Sequence, residues 1–110
     1  MLNKINFFQL DNLINNRVPF MFYNMGPSIS EWYNSVSRMH LDTYQVMISA
    51  EKIMADLNEK KVPKDYAIVL LCGDGKVSSK IFIELEKAAY TNVYVIDGGH
   101  QQMVTERSQL

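Results

Sequence analysis

The sequence is poor in cysteine, since Cys72 is the only one among 110 residues. A single thiol cannot form an internal disulfide, and it leaves neither a CxxC redox motif nor a cysteine-rich zinc site. Such a lone thiol is typical of a reducing compartment. The two histidines, His40 and His100, are distant in sequence and have no third ligand motif beside them, so we expect no metal site.

The chain also lacks an excess of charge of either sign. Lysine and arginine total 11, aspartate and glutamate total 12, and the formal net charge is −1 with neutral histidines. Proteins that bind phosphate backbones present basic surfaces. The charge balance therefore predicts that nucleic acid is not a partner.

Long apolar runs are missing as well. The longest uninterrupted one, Ala67–Cys72, is far shorter than the roughly 20 residues that cross a bilayer. The N-terminus lacks the apolar core of a signal peptide. Hydrophobic residues nevertheless make up 47% of the chain, which is enough for a packed core. We expect a cytoplasmic protein with no membrane partner.

Hydrophobic patterning alternates between strand and helix along the whole chain. Apolar runs predict buried strands at Val18–Tyr23, Tyr44–Ile48, Ala67–Cys72 and Val93–Ile96. Helical periodicity predicts a first helix capped by Asn6, with Gln9 as its capping-box partner, and a second capped by Ser49 and ending at Lys60-Lys61. It also predicts a third helix from Val77 to Ala89 and a terminal helix over His100–Ser108. The segment Ile29–Arg38 is interpreted as a loop with a short helix that contains Trp32. This alternation predicts one α/β unit with a mostly parallel sheet and helices on both faces.

The most informative segment is the loop that follows the strand ending at Cys72. Two glycines, Gly73 and Gly75, allow consecutive backbone N–H groups to turn towards the sulfur, and the following helix adds the partial positive charge of its N-terminus. Both effects favour a thiolate and would hold an anion beside it, as a nucleophilic cysteine requires. A buried structural cysteine at a strand end is the alternative. The loop is not a P-loop, because it lacks the G-x-x-x-x-G-K-[ST] pattern. It is not a C-x5-R phosphatase loop either, because Ser78 stands at the arginine position.

The segment from Asp65 to Gly99 resembles the second half of a rhodanese-like domain. The family's C-x-x-G-x-x-[ST] loop reads Cys72–Ser78 here, its Y-x-N-V strand start reads Tyr90–Val93, and its GG turn reads Gly98-Gly99. Weaker similarity in the N-terminal half, such as the helix Asn6–Asn16, extends the resemblance over nearly the whole chain. Residues 1–110 are therefore interpreted as a single rhodanese-like domain, which implies a five-stranded, mostly parallel sheet.

The resemblance implies a sulfurtransferase in which Cys72 is the nucleophile. Cys72 would take a sulfane sulfur from a small anionic donor of the thiosulfate or mercaptopyruvate type, and the persulfide would pass it to cyanide, a thiol or a protein acceptor. No metal or organic cofactor is implied. The substrate-binding residues, through their backbone amides and charges, would be Gly73, Asp74, Gly75, Lys76, Val77 and Ser78.

Three departures from the family pattern bear on the substrate. The family's D-x-R motif falls near Tyr23-Asn24-Met25, where neither the acid nor the arginine is present. Val77 stands where thiosulfate-type loops often carry arginine, which leaves Lys76 as the cation of the loop with Asp74 close to it. The family's usual aromatic residue after the GG turn is also missing, and His100-Gln-Gln-Met stands there.

These departures leave two further interpretations open. The first is a catalytically weak rhodanese-like module that binds a partner protein or senses redox state through Cys72. The second is a reductase of oxyanions such as arsenate, although that reaction generally requires an arginine or a second thiol in the loop.

Overall fold

The fold is given by a computed structural model that describes residues 3–108. The outermost residues of the predicted domain, 1–2 and 109–110, lie outside the described residues. Five strands are described: β1 (Lys4–Ile5), β2 (Met21–Asn24), β3 (Gln45–Met47), β4 (Ile68–Leu71) and β5 (Val93–Ile96). Five α-helices alternate with them: α1 (Phe7–Asn15), α2 (Ser35–Tyr44), α3 (Ile53–Glu59), α4 (Lys76–Lys87) and α5 (Gly99–Arg107). Two short 3₁₀ helices cover Ser30–Trp32 and Ala50–Lys52.

The strands form one sheet in the order β1-β5-β4-β2-β3, and every neighbouring pair is parallel. In the register, Leu70 of β4 lies opposite Tyr23 on one side and Val95 on the other. The prediction of an α/β fold with a parallel sheet and a central Cys72 strand is confirmed. Because parallel strands share one carboxyl edge, Asn24, Leu71 and Ile96 end at the same side of the molecule.

Helices cover both faces of the sheet. Side chains alternate along β4, so that Val69 and Leu71 pack on one face and Ile68 and Leu70 on the other. The first face is covered by α1, α2 and α5, and the second by α3 and α4. All four side chains of β4 are buried, which is why its sequence is continuously apolar.

The second strand begins later than the sequence predicts. Val18 and Pro19 lie outside β2, which runs from Met21 to Asn24. The N–H of Val18 donates to the carbonyl of Leu13 at 3.0 Å, and Arg17 takes a φ of 55°. The residues after α1 therefore close the helix instead of entering the sheet, and Pro19 has no N–H for a ladder.

The helix α2 is missing from the sequence prediction. The short helix predicted around Trp32 is present as the 3₁₀ helix Ser30–Trp32. The loop predicted up to Arg38 and the strand predicted from Tyr44 are wrong where they overlap Ser35–Tyr44, which is helical. Asn34 caps this helix, since its side chain accepts the N–H of Ser37 at 3.2 Å. Leu41 is the buried residue of α2, so the helix shows little apolar periodicity.

The other predicted boundaries hold with smaller corrections. Ser49 makes no side-chain cap bond, and the chain after it forms a 3₁₀ turn before α3 begins at Ile53. The helix α4 begins at Lys76 and ends at Lys87, and α5 begins at Gly99 and ends at Arg107. The two-residue edge strand β1 was not predicted. Among the described residues, no helix has both the length and the apolar character needed to cross a membrane.

Candidate active site

Cys72 lies directly after the central strand β4, at the carboxyl edge of the sheet. Its side chain is buried, with 3% of its surface exposed. The segment Gly73–Gly75 turns the chain, and α4 begins at Lys76. The sheet therefore holds the thiol in place while the loop and the start of the helix surround it.

Two backbone N–H groups of this segment donate to the sulfur. The N–H of Gly75 lies 3.0 Å from Sγ of Cys72, and that of Ser78 lies 3.4 Å from it. Gly75 has a φ of 93°, a conformation that side chains other than glycine rarely adopt. Because both donors point at the sulfur, they stabilise negative charge there.

The charged residues of the loop lie at its outer surface. Asp74 and Lys76 are exposed, and Oδ1 of Asp74 accepts the backbone N–H of Lys76 at 3.0 Å. The carboxylate is therefore held at the start of α4. Val77 is 41% exposed at the same helix end.

Ser78 is fully buried, with no exposed surface. Its backbone N–H contacts the sulfur, but within residues 3–108 its Oγ atom has no hydrogen-bond partner. The position of Ser78 in the site is therefore defined by its backbone and not by its hydroxyl.

A second turn, which follows β2, packs beside the cysteine loop. Asn24 is fully buried, its Oδ1 accepts the N–H of Gly26 at 2.8 Å, and its amide donates to the carbonyl of Pro27 and to Gln45. A Cβ atom added at Gly26 would lie 3.6 Å from the backbone of Cys72 and Gly73. The family's D-x-R motif is missing at this position, and the role of Asn24, which instead holds the turn by its hydrogen bonds, was not predicted from the sequence. A polar residue at the end of an apolar strand was the available signal.

His100 approaches Cys72 through its backbone. Its N–H donates to the carbonyl of Cys72 at 2.7 Å, whereas its ring lies against Trp32 with a centroid separation of 5.4 Å. Partial burial lowers the pKa of His100 from its ordinary value. The guanidinium of Arg107 lies 5.0 Å from the ring centroid of Trp32.

An open cleft of about 420 Å³ lies along the outer side of the cysteine loop. Its walls carry Lys4, Asp74, Lys76 and Asp97, and Lys4 is paired with Asp97 at 3.7 Å. Within the described residues, no group of three or more histidine, cysteine, aspartate or glutamate side chains could hold a metal ion.

The structure thus places the one cysteine at the end of the central parallel strand of an α/β sheet, facing N–H groups of a glycine-containing loop and a helix start. The family described as "Rhodanese-like domain" matches residues 22–106 of the chain. The chain therefore belongs to the rhodanese-like domain family, as its loop and turn motifs indicate. No curated protein matches the sequence.

Solved structures share the fold at low sequence identity. A rhodanese-like domain protein from Staphylococcus aureus is 18% identical with a TM-score of 0.66, and the match covers 93% of this chain and 91% of that one. A thiosulfate sulfurtransferase from Pseudomonas aeruginosa is 9% identical with a TM-score of 0.70, over 96% of this chain and 19% of that one. An NAD-dependent persulfide reductase from A. fulgidus is 19% identical with a TM-score of 0.58, over 89% of this chain and 15% of that one.

Proposed function

We propose that the chain acts as a single rhodanese-like sulfurtransferase domain, with Cys72 as the nucleophile. The observation that carries this proposal is the pair of N–H groups, from Gly75 and Ser78, that donate to the sulfur at 3.0 and 3.4 Å. A cysteine with only a packing role needs no such donors. The donor would be a small anion of the thiosulfate or mercaptopyruvate type.

In the first step the Cys72 thiolate attacks the sulfane sulfur of the donor. With thiosulfate, a Cys72–sulfur bond forms, the sulfur–sulfur bond of the donor breaks, and its electron pair leaves on sulfite. With mercaptopyruvate, the carbon–sulfur bond breaks and pyruvate leaves as its enolate, which takes a proton from water. In both cases the product on the protein is a Cys72 persulfide that carries a negative charge on its outer sulfur.

In the second step an acceptor removes the outer sulfur. Cyanide or a thiolate attacks it, the sulfur–sulfur bond of the persulfide breaks, and the electron pair returns to Cys72 as thiolate. Neither step consumes an external oxidant or reductant. The loop N–H groups favour the thiolate, which keeps Cys72 in its nucleophilic form for the first step and makes its sulfur a better leaving group in the second.

The charges beside the loop bear on the choice of donor. Lys76 is a flexible cation at the helix start, while the carboxylate of Asp74 opposes an approaching anion. A thiosulfate sulfurtransferase and a persulfide reductase share this fold, which supports thiosulfate as the first donor to test and a thiol as the first acceptor.

The test is the intact mass of the protein after exposure to thiosulfate or to mercaptopyruvate. We expect the mass to rise by one sulfur atom and to return to its starting value when cyanide or a thiol is added. The Cys72→Ser variant is the control and must show no gain with either donor.

Failure of both donors to load a folded protein would contradict the proposal. In that case a catalytically weak module for partner binding or redox sensing becomes the better interpretation. The missing D-x-R motif near Tyr23-Asn24-Met25 and the exposed Val77 in the loop are the features that favour that alternative.

A further inference from the structure

The turn between β5 and α5 packs directly against the cysteine loop. The N–H of His100 donates to the carbonyl of Cys72 at 2.7 Å, and the N–H of Gln101 donates to the carbonyl of Gly73 at 3.0 Å. These two groups belong to the first turn of α5, where backbone N–H groups have no partner within the helix. The start of α5 is therefore joined to the loop by two hydrogen bonds.

Gly99 is the point of closest approach between the turn and the loop. A Cβ atom there would lie 2.5 Å from the carbonyl oxygen of Cys72, 2.6 Å from the nitrogen of Gly75 and 2.8 Å from that of Asp74. All three obstacles are backbone atoms, so none can move aside by a side-chain rotation. Any larger residue at Gly99 must displace the loop itself.

One of these three backbone atoms is also the closest donor to the sulfur. The Gly75 nitrogen that a Cβ on Gly99 would strike is the one that donates to Sγ of Cys72 at 3.0 Å. The contact is reciprocal, since a Cβ on Gly75 would lie 3.3 Å from the nitrogen of Gly98 and 3.4 Å from that of Gly99. The cysteine loop at Gly75 and the turn at Gly98-Gly99 therefore pack closely, and each restricts the backbone of the other.

We propose that Gly99 is a positioning residue, which acts with the first turn of α5 to hold the Gly75 N–H on the sulfur of Cys72. Substitution at Gly99 then changes the reactivity of the thiol, and not only the stability of the fold. The inference rests on the proposed function only where sulfur transfer is measured, because thiol reactivity can be measured without a sulfur donor.

Gly98 provides the matched control. It also has positive φ, 72° against 66° for Gly99, so alanine strains the backbone at both positions. A Cβ on Gly98, however, would lie 2.5 Å from Cβ and 3.0 Å from Cγ of Gln102 in α5, and no atom of the cysteine loop is among its three nearest neighbours. Gly98→Ala therefore carries a similar backbone strain and a clash of similar size, but its clash falls on α5, whereas that of Gly99→Ala falls directly on the cysteine loop.

The experiment measures the rate of alkylation of Cys72 by iodoacetamide against pH in the wild type, Gly98→Ala and Gly99→Ala. Circular dichroism and denaturant unfolding establish that each protein is folded under the conditions used. We expect Gly99→Ala to move the rate profile to higher pH and to slow alkylation near neutral pH by about tenfold, since a hydrogen bond to a charged group is lost. Gly98→Ala should stay within about twofold of the wild type.

The inference is overturned if folded Gly99→Ala shows the same dependence of alkylation rate on pH as the wild type. It is also overturned if Gly98→Ala and Gly99→Ala shift that dependence equally. Should Gly99→Ala fail to fold, Gln101→Pro decides, because proline removes the N–H that donates to Gly73 and places its ring against that carbonyl, so it disturbs the contact between loop and helix from the other side. It should shift the profile in the same direction, and an unchanged profile overturns the inference. A wild type that takes no sulfur from any donor, together with a shifted Gly99→Ala profile, contradicts the proposed function but supports the positioning role.

Discussion

Among single residues, Asp74 gives the sharpest test of how the site treats an anionic donor. We expect Asp74→Asn to raise kcat/KM for thiosulfate by about fivefold, since a like charge near 4 Å costs about 1 kcal/mol in water. Asparagine keeps an oxygen that can accept the N–H of Lys76, so the start of α4 is preserved. Steady-state kinetics measure the change.

The opposite change tests the same electrostatic argument. Lys76→Ala should lower kcat/KM for thiosulfate by a similar factor, and both effects should shrink as salt rises because exposed charges are screened. Glu84→Gln alters the net charge equally on an exposed part of α4 beyond its first turn and should leave the rate unchanged. If Asp74→Asn and Lys76→Ala both behave like Glu84→Gln, the loop amides alone bind the donor.

Ser78 separates the contribution of a backbone group from that of its side chain. We expect Ser78→Ala to retain sulfur loading of Cys72 and to raise or leave unchanged the free energy of unfolding. The reason is that a buried hydroxyl without a partner costs about 1–3 kcal/mol, while the N–H that contacts the sulfur remains. Urea unfolding and the intact-mass assay measure the two effects. A folded Ser78→Ala protein that loads no sulfur would show that the hydroxyl takes part in the reaction.

Among the secondary-structure elements, α1 has the most complete cap. Oδ1 of Asn6 accepts the N–H of Gln9 at 2.9 Å, and Oε1 of Gln9 accepts the N–H of Asn6 at 2.8 Å. We expect Asn6→Ala to lower the free energy of unfolding by about 1 kcal/mol with an unchanged denaturant slope, and Asn6→Ser to restore most of it. A stability of Asn6→Ala equal to that of the wild type would mean that the packing of α1 alone determines its start.

The same elements show what the sequence can reveal about the fold. The cap of α1 and the strands β4 and β5 were predicted because capping pairs and buried apolar runs are local signals. The helix α2 was missed because it buries little more than Leu41, and β1 because two residues form no pattern. The start of β2 was placed too early, since the hydrophobicity of Val18 resembles that of a strand residue while its N–H closes a helix.

At the scale of the whole molecule, the site is built from three separate strand ends. Cys72 and its loop follow β4, Asn24 and Gly26 follow β2, and Gly99 and His100 follow β5. The sequence identified the first group because the cysteine, the glycines and the helix start lie within one short segment. It could not show which backbone atoms of the other two groups contact that loop, because those contacts depend on β2 and β5 flanking β4 in the sheet. Long-range topology, and not local pattern, supplies that part of the site.

The protonation of His100, which lies at this edge of the sheet, affects the stability of the whole fold. Partial burial lowers the pKa of His100 below its ordinary value of 6.5, and the ring contacts Trp32, over which the guanidinium of Arg107 also lies. The unfolded chain therefore binds a proton at a higher pH than the folded chain does. The contribution of His100 to stability is fully present above pH 6.5 and is lost as the pH falls from there towards the folded pKa.

We expect the free energy of unfolding of the wild type to decline below about pH 6.5 more steeply than that of His100→Phe. Phenylalanine can keep the aromatic contact with Trp32 but cannot take up a proton, so it removes only the titration. Urea unfolding of both proteins between pH 8 and pH 5 gives the two curves, and their difference isolates His100 from the carboxylates that titrate in both. Parallel curves over this range would mean that His100 binds its proton equally well in the folded and unfolded chains, and that its contact with Trp32 leaves the ring open to water.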